Sequence, residues 1–328
     1  RVQFGLGGEK MLEQVESRLR KLRSEDTYTE SALLLELSRQ YLWRGRIADA
    51  RATLDRAARV IYATRNRRHE IVLNLRFASL LRAAGDGPQS LNYFRSARKL
   101  LHRGIDRGLE LELLDLEYAT CAELGLVEPL GELRREAEIA LRVPTGSVAE
   151  RGLRRRLPPI SGGPEFRPGM DKFGDLLDEL ARPTEKTILR CVQEGYFGLI
   201  ASALGLPAAF SGVVLDPLPG AALFVERGET VFRASLSPQL RNLIQHLQRG
   251  SQSKEVLVEK VWGYTYHPLR HDTLVYQAMN QLRKTLGSFA TWIVTTERGY
   301  ALDPRVQVRQ YSAAGEIGRK PRGERNVV

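Results

Sequence analysis

At 328 residues the chain exceeds what one ordinary hydrophobic core organises, so two or three domains are expected. Its 42% hydrophobic and 27% charged residues describe a globular chain. The longest nearly apolar stretch, residues 198–210, is interrupted by Pro207 and falls far short of the ~20 residues a membrane span needs, so neither a transmembrane helix nor a membrane partner is expected, while a formal charge of +11 favours polyanionic partners without identifying one.

The opening Arg1 and glycine-rich FGLGG read as a trimmed start that carries no targeting signal. An amphipathic segment with Met11, Leu12, Val15, Leu19 and Leu22 follows and is expected to cap a helical stack. Next, Gly45, Gly85 and Gly125 stand forty residues apart, each between two apolar helical runs. Four residues before them are Tyr41, Leu81 and Cys121, and twelve beyond are Ala57, Ala97 and Ala137. This predicts a helix, a tight glycine turn and a second helix in each copy, with alanines where helices cross closely. The second copy keeps Phe77, Ala78, Phe94 and Ala97 but has Ser90 where the first has Ala50; the third has Leu130 there and Arg134 where an apolar residue belongs. Arg65, Arg67 and Arg68 read as a solvated surface in preference to a nucleic-acid patch.

Helical periodicity fails beyond Leu141, and the Pro-, Gly- and Arg-rich residues 143–170 are read as a linker or extended arm, with Arg154, Arg155 and Arg156 solvated in preference to bound to phosphate. Residues 171–210 form a helical connector broken near Gly195 and Gly198, with Tyr196 and Phe197 as core.

From residue 211 the pattern turns to short strands, VVLD, ALFVER and TVFRA, with Pro217, Gly220 and Gly228 at the turns. Ser237 with Pro238 starts a helix whose stripe is Leu240, Leu243, Ile244 and Leu247. Ser253 starts a second helix that Gly263 ends, the loop YTYHPLRH follows, and Asp272 or Thr273 caps a third helix whose inward face is Leu274, Val275, Met279, Leu282 and Leu286. A terminal hairpin runs from Trp292 through a turn at Glu297–Gly299 to Leu302.

Two resemblances rest on these residues. Leu37, Tyr41, Gly45, Ala50, Leu54 and Ala57 resemble a tetratricopeptide repeat, although a forty-residue period exceeds the usual one. The Ser253-Lys254-Glu255-x-Leu257 start, the Val261-Trp262-Gly263 end, Leu282-Arg283-Lys284 and the Thr295–Tyr300 wing together resemble the winged helix-turn-helix of OmpR/PhoB-type regulators. The expected fold class is therefore multidomain: an all-α TPR-like solenoid (residues 9–142), a linker (143–170), a helical connector (171–210), a mainly α winged helix-turn-helix domain with small β-sheets (211–311) and a basic disordered tail (312–328).

The resemblance implies a bacterial-type, cytoplasmic transcription regulator whose partner is double-stranded DNA. The third helix would enter the major groove with Gln277, Asn280 and Gln281 on one face, where amides can bond adenine bidentately, and Arg283 and Lys284 would meet guanine or phosphate. In the wing, Arg298 or, if the match slips, Thr296 would reach the minor groove. Relatives carry more arginine at the positions of Asn280 and Gln281, so phosphate attraction is expected to be weaker here, with dimerisation or the tail GRKPRGERNVV compensating. Tyr264, Tyr266, His267, Arg270 and His271 lie in the 263–272 loop that relatives use to touch RNA polymerase, and the solenoid implies a protein partner. The competing class is a docking scaffold in which the winged helix binds protein. An enzyme is the least supported class: there is no GxSxG, GxxxxGK[ST] or HExxH, and Pro268 separates His267 from His271. With only Cys121 and Cys191, both in apolar helical patterns, neither a zinc site nor any cofactor is expected.

Overall fold

The computed structural model describes residues 9–22, 26–101, 106–145, 147–157, 172–207 and 209–311. The glycine-rich start, most of the second half of the expected linker and the basic tail therefore lie outside the described residues. The chain divides into two compact units, Arg1–Ala209 with Arg227–Glu229, and Phe210–Glu226 with Thr230–Val328.

In the first unit the forty-residue period is carried by whole helices. The leading helices α2 (Thr27–Trp43), α4 (Arg67–Ala83) and α6 (Arg107–Glu123) each have 17 residues and follow α1 (Glu9–Lys21). Each is started by an Asx side chain, Asp26, Asn66 or Asp106, that accepts the backbone N–H three residues on. Their antiparallel mates are α3 (Ile47–Thr64), α5 (Gly87–Leu100) and α7 (Val127–Ala140). At each hairpin the glycine has a left-handed φ of 69°, 84° or 69° for Gly45, Gly85 and Gly125. This lets the next residue donate back to the carbonyl five positions earlier: Arg46 to Tyr41, Asp86 to Leu81, Leu126 to Cys121. The recurring buried residue four before each glycine, Tyr41, Leu81 or Cys121, is thus the third-from-last position of the helix.

The crossings are close because Ala50, Ala57, Ala97 and Ala137 are wholly or almost wholly buried. Ser90, in place of Ala50, satisfies its hydroxyl by donating to Ala78 O at 2.9 Å. Leu12 and Val15 of α1 are buried against the first pair, and Tyr41 Oη donates to Glu16 Oε1 at 2.7 Å. Burial and the Glu16 carboxylate push the Tyr41 phenol up to about 12. Of the three expected solvated arginines, Arg65 is exposed, Arg67 donates to Leu100 O at 2.9 Å and Arg68 pairs with Asp106 at 3.0 Å.

The expected linker is corrected by helix α8 (Val148–Arg156). Ser147-x-x-Glu150 starts it as a capping pair: Ser147 Oγ accepts from the Glu150 N–H at 3.1 Å, while the fully buried Glu150 carboxylate takes the Thr145 N–H at 2.6 Å. Gly152 sits where a Cβ would meet the Asp115 carboxylate at 2.6 Å, so α8 approaches α6 closely. Its arginines are paired with carboxylates, Arg155 and Arg156 while still exposed to solvent as expected. Arg154 pairs with Glu150 at 2.9 Å, Arg156 with Asp115 at 2.9 Å, and Arg155 with Asp178 of α9 (Lys172–Glu179) at 3.2 Å.

The connector is a fourth hairpin, α10 (Glu185–Gln193) and α11 (Phe197–Ala203). Gly195 has φ 71°, and Tyr196 N donates to Cys191 O at 2.8 Å, repeating the earlier turns. Tyr196 is buried edge-on to Trp43, and the Arg44 guanidinium lies 5.1 Å from its ring centre. Gly198 touches the backbone of the α2–α3 turn, where a Cβ would meet Leu42 O at 2.6 Å. Cys121 and Cys191 are buried free thiols.

The second unit opens with β1 (Ser211–Leu215), β2 (Ala222–Glu226) and β3 (Glu229–Arg233), as the strand pattern predicts. A strand absent from the sequence reading, β6 (Gln307–Gln310), adds to β1 in parallel, giving the order β3-β2-β1-β6. Gly212 is needed there, since a Cβ would collide with Gln307 O. Helix α12 (Pro238–Leu247) is capped by Ser237 and buries Leu240, Leu243, Ile244 and Leu247. Helix α13 (Lys254–Leu257), capped by Ser253, widens into a π-turn over Val258–Trp262 before left-handed Gly263 ends it. Helix α14 (Pro268–Leu286) follows, then a 3-10 segment Gly287–Trp292 and the hairpin β4 (Ile293–Thr296) and β5 (Gly299–Leu302). One core joins them, with Phe224, Leu243, Leu257, Met279, Leu282, Trp292 and Leu302 among its members.

Candidate nucleic-acid interface

Helix α14 begins one turn before the expected Asp272 or Thr273 cap. Pro268 occupies its first turn, where the missing N–H costs nothing and the fixed φ favours helix. Arg270 and His271 are therefore helical residues, not members of a free loop. Asp272 is occupied elsewhere: its carboxylate accepts from Lys254 Nζ at 2.6 Å and from Tyr266 Oη. These two hydrogen bonds hold Asp272 below the usual carboxylate range, and the same contact pushes the Tyr266 phenol up to about 12. The backbone N–H of His267 donates to His271 Nδ1 at 2.8 Å, and the His271 ring stacks on Tyr264 with centroids 5.8 Å apart. The segment between α13 and α14 is thereby tied to the helix at Asp272 and His271.

The inward stripe of α14 is Val275, Met279, Leu282 and Leu286, all buried; Leu274 is only half-buried. Opposite it lie Thr273, Gln277, Gln281 and Lys284, exposed, and Asn280, half-buried. Gln277, Asn280 and Gln281 are brought together on the outer face as their spacing predicts. Between Thr273 and Leu286 there is no carboxylate, while Arg270 stands at one end and Arg283 and Lys284 at the other. Arg283 lies along the flank: its guanidinium donates to Thr295 Oγ1 at 3.2 Å and sits 6.0 Å from the Tyr300 ring centre.

The hairpin pairs Thr295 with Tyr300 and Thr296 with Gly299, leaving Glu297 and Arg298 exposed at its tip. Thr296 is half-buried and hydrogen-bonded to Ser251 Oγ at 2.6 Å, so Arg298 is the better placed of the two hairpin residues to reach outward. Gln252 bridges to Tyr300 on the other edge of β5, with N···O distances of 2.8 and 3.0 Å. Gly299, at φ 146°, is required because a Cβ would collide with Gln252 O.

Two exposed apolar side chains on this helix, Leu269 at 90% and Tyr276 at 59% exposure, are not singled out by the sequence pattern. The signal for Leu269 was Pro268 at a helix start. Among the described residues no group of His, Cys, Asp or Glu side chains is arranged to hold a metal ion, and no helix is long and apolar enough to cross a membrane.

The Asp272 contacts give a direct test. Asp272→Asn is expected to bring the Tyr266 phenol down from about 12 towards its ordinary value near ~10, followed by phenolate absorbance. Because the native Tyr266 value is raised, its stabilisation is fully present below that ordinary value and is lost as pH rises through about 12. Asp272, held low, contributes above its unfolded value near ~3.9 and loses that contribution in acid. An unchanged Tyr266 titration in the variant would contradict the contact.

No protein-family model, curated protein or solved structure matches the chain.

Proposed function

We propose that the chain is a DNA-binding transcription regulator of OmpR/PhoB-like winged-helix design, with no catalytic role, in which the outer face of α14 enters the major groove and the β4–β5 hairpin approaches the adjacent minor groove through Arg298. The observation that carries this reading is the outer face itself: three amides at helical spacing, Gln277 and Gln281 exposed and Asn280 half-buried, on a stretch from Thr273 to Leu286 that holds no acid and carries Arg283 and Lys284 in its last turn. A helix of 19 residues is about 28 Å long and fits the major groove, where amides discriminate adenine and cations meet phosphate. The stacked hairpins of the first unit serve as the protein-binding or signal-receiving part, and a homodimer would present two reading helices to two half-sites. Tyr264, Tyr266, His267 and His271 are the proposed contact to RNA polymerase, while Arg270, within the first turn of α14, is assigned to phosphate.

A second reading is favoured by Leu269 and Tyr264, the latter 55% exposed: an apolar loop and helix start of this kind also suits a protein-docking module. Salt separates the two. The full chain titrated with a random-sequence duplex is expected to lose affinity with a log–log slope of about −3 to −4, for the four or so phosphates within reach of Arg270, Arg283, Lys284 and Arg298. A slope near zero with weak binding to every duplex would favour docking.

A further inference from the structure

We propose that the reading face of α14 is built to recognise thymine methyl groups beside adenine, through Leu269, Thr273 and Tyr276 next to the amides, so that the preferred duplex is a run of A·T pairs. This rests on the DNA-reading proposal above. The starting observation is the earlier helix start at Pro268, which adds a full turn to the outer face and places Leu269 in line with Thr273, Tyr276 and Asn280 at spacings of four, three and four residues. Leu269 is 90% and Tyr276 59% exposed, and Thr273 is exposed with its methyl and hydroxyl uncommitted to the core.

In the major groove thymine presents one feature that no other base has, the C5-methyl, and side-chain carbon is what recognises it. Adenine across the pair presents the N6–H and N7 pattern that a Gln or Asn amide matches. Guanine is read by Arg or Lys, and on this face those cations stand at the two ends, with Arg283 drawn aside to Thr295 and Tyr300. From Thr273 to Gln281 the outward positions carry the methyl and hydroxyl of Thr273, the Tyr276 ring and the three amides, so this stretch offers partners to both bases of an A·T pair, while Lys284, the exposed partner for guanine, stands at its end. The flanking cations and the lack of carboxylates suit a groove lined by phosphates in preference to an apolar protein surface.

The test uses the full chain and three probes: a mixed-order duplex of A·T pairs, the same duplex with every thymine replaced by uracil, and a G·C duplex of equal length. Uracil removes the methyl and leaves every hydrogen-bonding group in place. Each methyl buried against Leu269, Thr273 or Tyr276 is expected to be worth about threefold to fivefold in affinity, so the thymine duplex should bind roughly tenfold or more tighter than the uracil one. The exposed-site variants Leu269→Ser, Thr273→Ser and Tyr276→Ser combined are expected to erase that difference while still binding DNA with the same salt slope. Equal binding of thymine and uracil duplexes by the wild type, or a difference that survives in the combined variant, would overturn methyl recognition; salt-dependent DNA binding in those same titrations would leave the regulator reading standing. Failure to bind any of the three duplexes with salt dependence would overturn both.

Discussion

Replacing Gln277, Asn280 and Gln281 together by alanine is expected to lower affinity for the preferred duplex by about 2–5 kcal/mol, roughly thirtyfold to several thousandfold, while binding to random duplex changes by less than about threefold. Amide pairs with adenine are the part of the proposed contact that carries sequence information, each contributing about 1–3 kcal/mol of discrimination. The proposed phosphate contacts by Arg270, Arg283, Lys284 and Arg298 are untouched and would set only the sequence-independent floor. None of the three amides belongs to the buried stripe of Val275, Met279, Leu282 and Leu286, so the fold of the variant is expected to be retained. Competition between preferred and random duplexes measures the ratio, and an unchanged ratio would remove these amides from base reading.

The second large effect is on stability. Phe94→Ala is expected to cost about 3–5 kcal/mol, read as a shift of the urea unfolding midpoint. Phe94 is fully buried in the cluster that joins successive pairs, with Ile71, Leu75 and Ala78 of α4, Ala97 of α5 and Leu109 and Leu113 of α6. Truncation there removes a ring and leaves a void between helices of two repeats, which lose their shared surface together. Tyr62→Ala, at an aromatic site 57% exposed on α3, is the matched control and should stay within about 0.5 kcal/mol of wild type. Similar costs for the two would contradict the stacking described.

The hairpin stack was legible because its determinant is local. A left-handed glycine turn recurs at Gly45, Gly85 and Gly125, and buried residues recur at the helix position that receives the returning hydrogen bond. The fourth turn uses the same pair, Cys191 and Gly195, but stands seventy residues after Gly125, so a fixed period does not find it. Asp26, Asn66 and Asp106 also recur at forty residues and mark the helix starts. In the expected linker, the Ser147-x-x-Glu150 cap was outweighed by the surrounding glycine, proline and arginine. What holds α8 in place is largely non-local: Leu153 and Leu157 are buried in the core shared with α6 and α7, and its arginines pair with Asp115 and Asp178.

The second unit follows the same division. Period-3.6 burial on α14 separated its inner stripe from its amide face, since both are set along one helix. The parallel strand β6 carries the polar sequence QVRQ and owes its existence to pairing with β1, far along the chain, so no local pattern announces it. The engagement of Arg283 with Thr295, of Thr296 with Ser251 and of Asp272 with Lys254 likewise comes from tertiary approach, which composition and spacing do not encode.

The proposal that α14 reads DNA is tested most directly by asking what Gln277 lies against in the presence of a duplex. Cys121 and Cys191 are both buried, and burial pushes the Cys191 thiol up to about 12, so a photoactivatable crosslinker on Gln277→Cys is expected to label selectively. Irradiation of the labelled full chain with its selected duplex is expected to attach it to base edges in the major groove within a single helical turn. Crosslinks confined to protein, or scattered along the duplex without preferred position, would contradict a groove-seated α14.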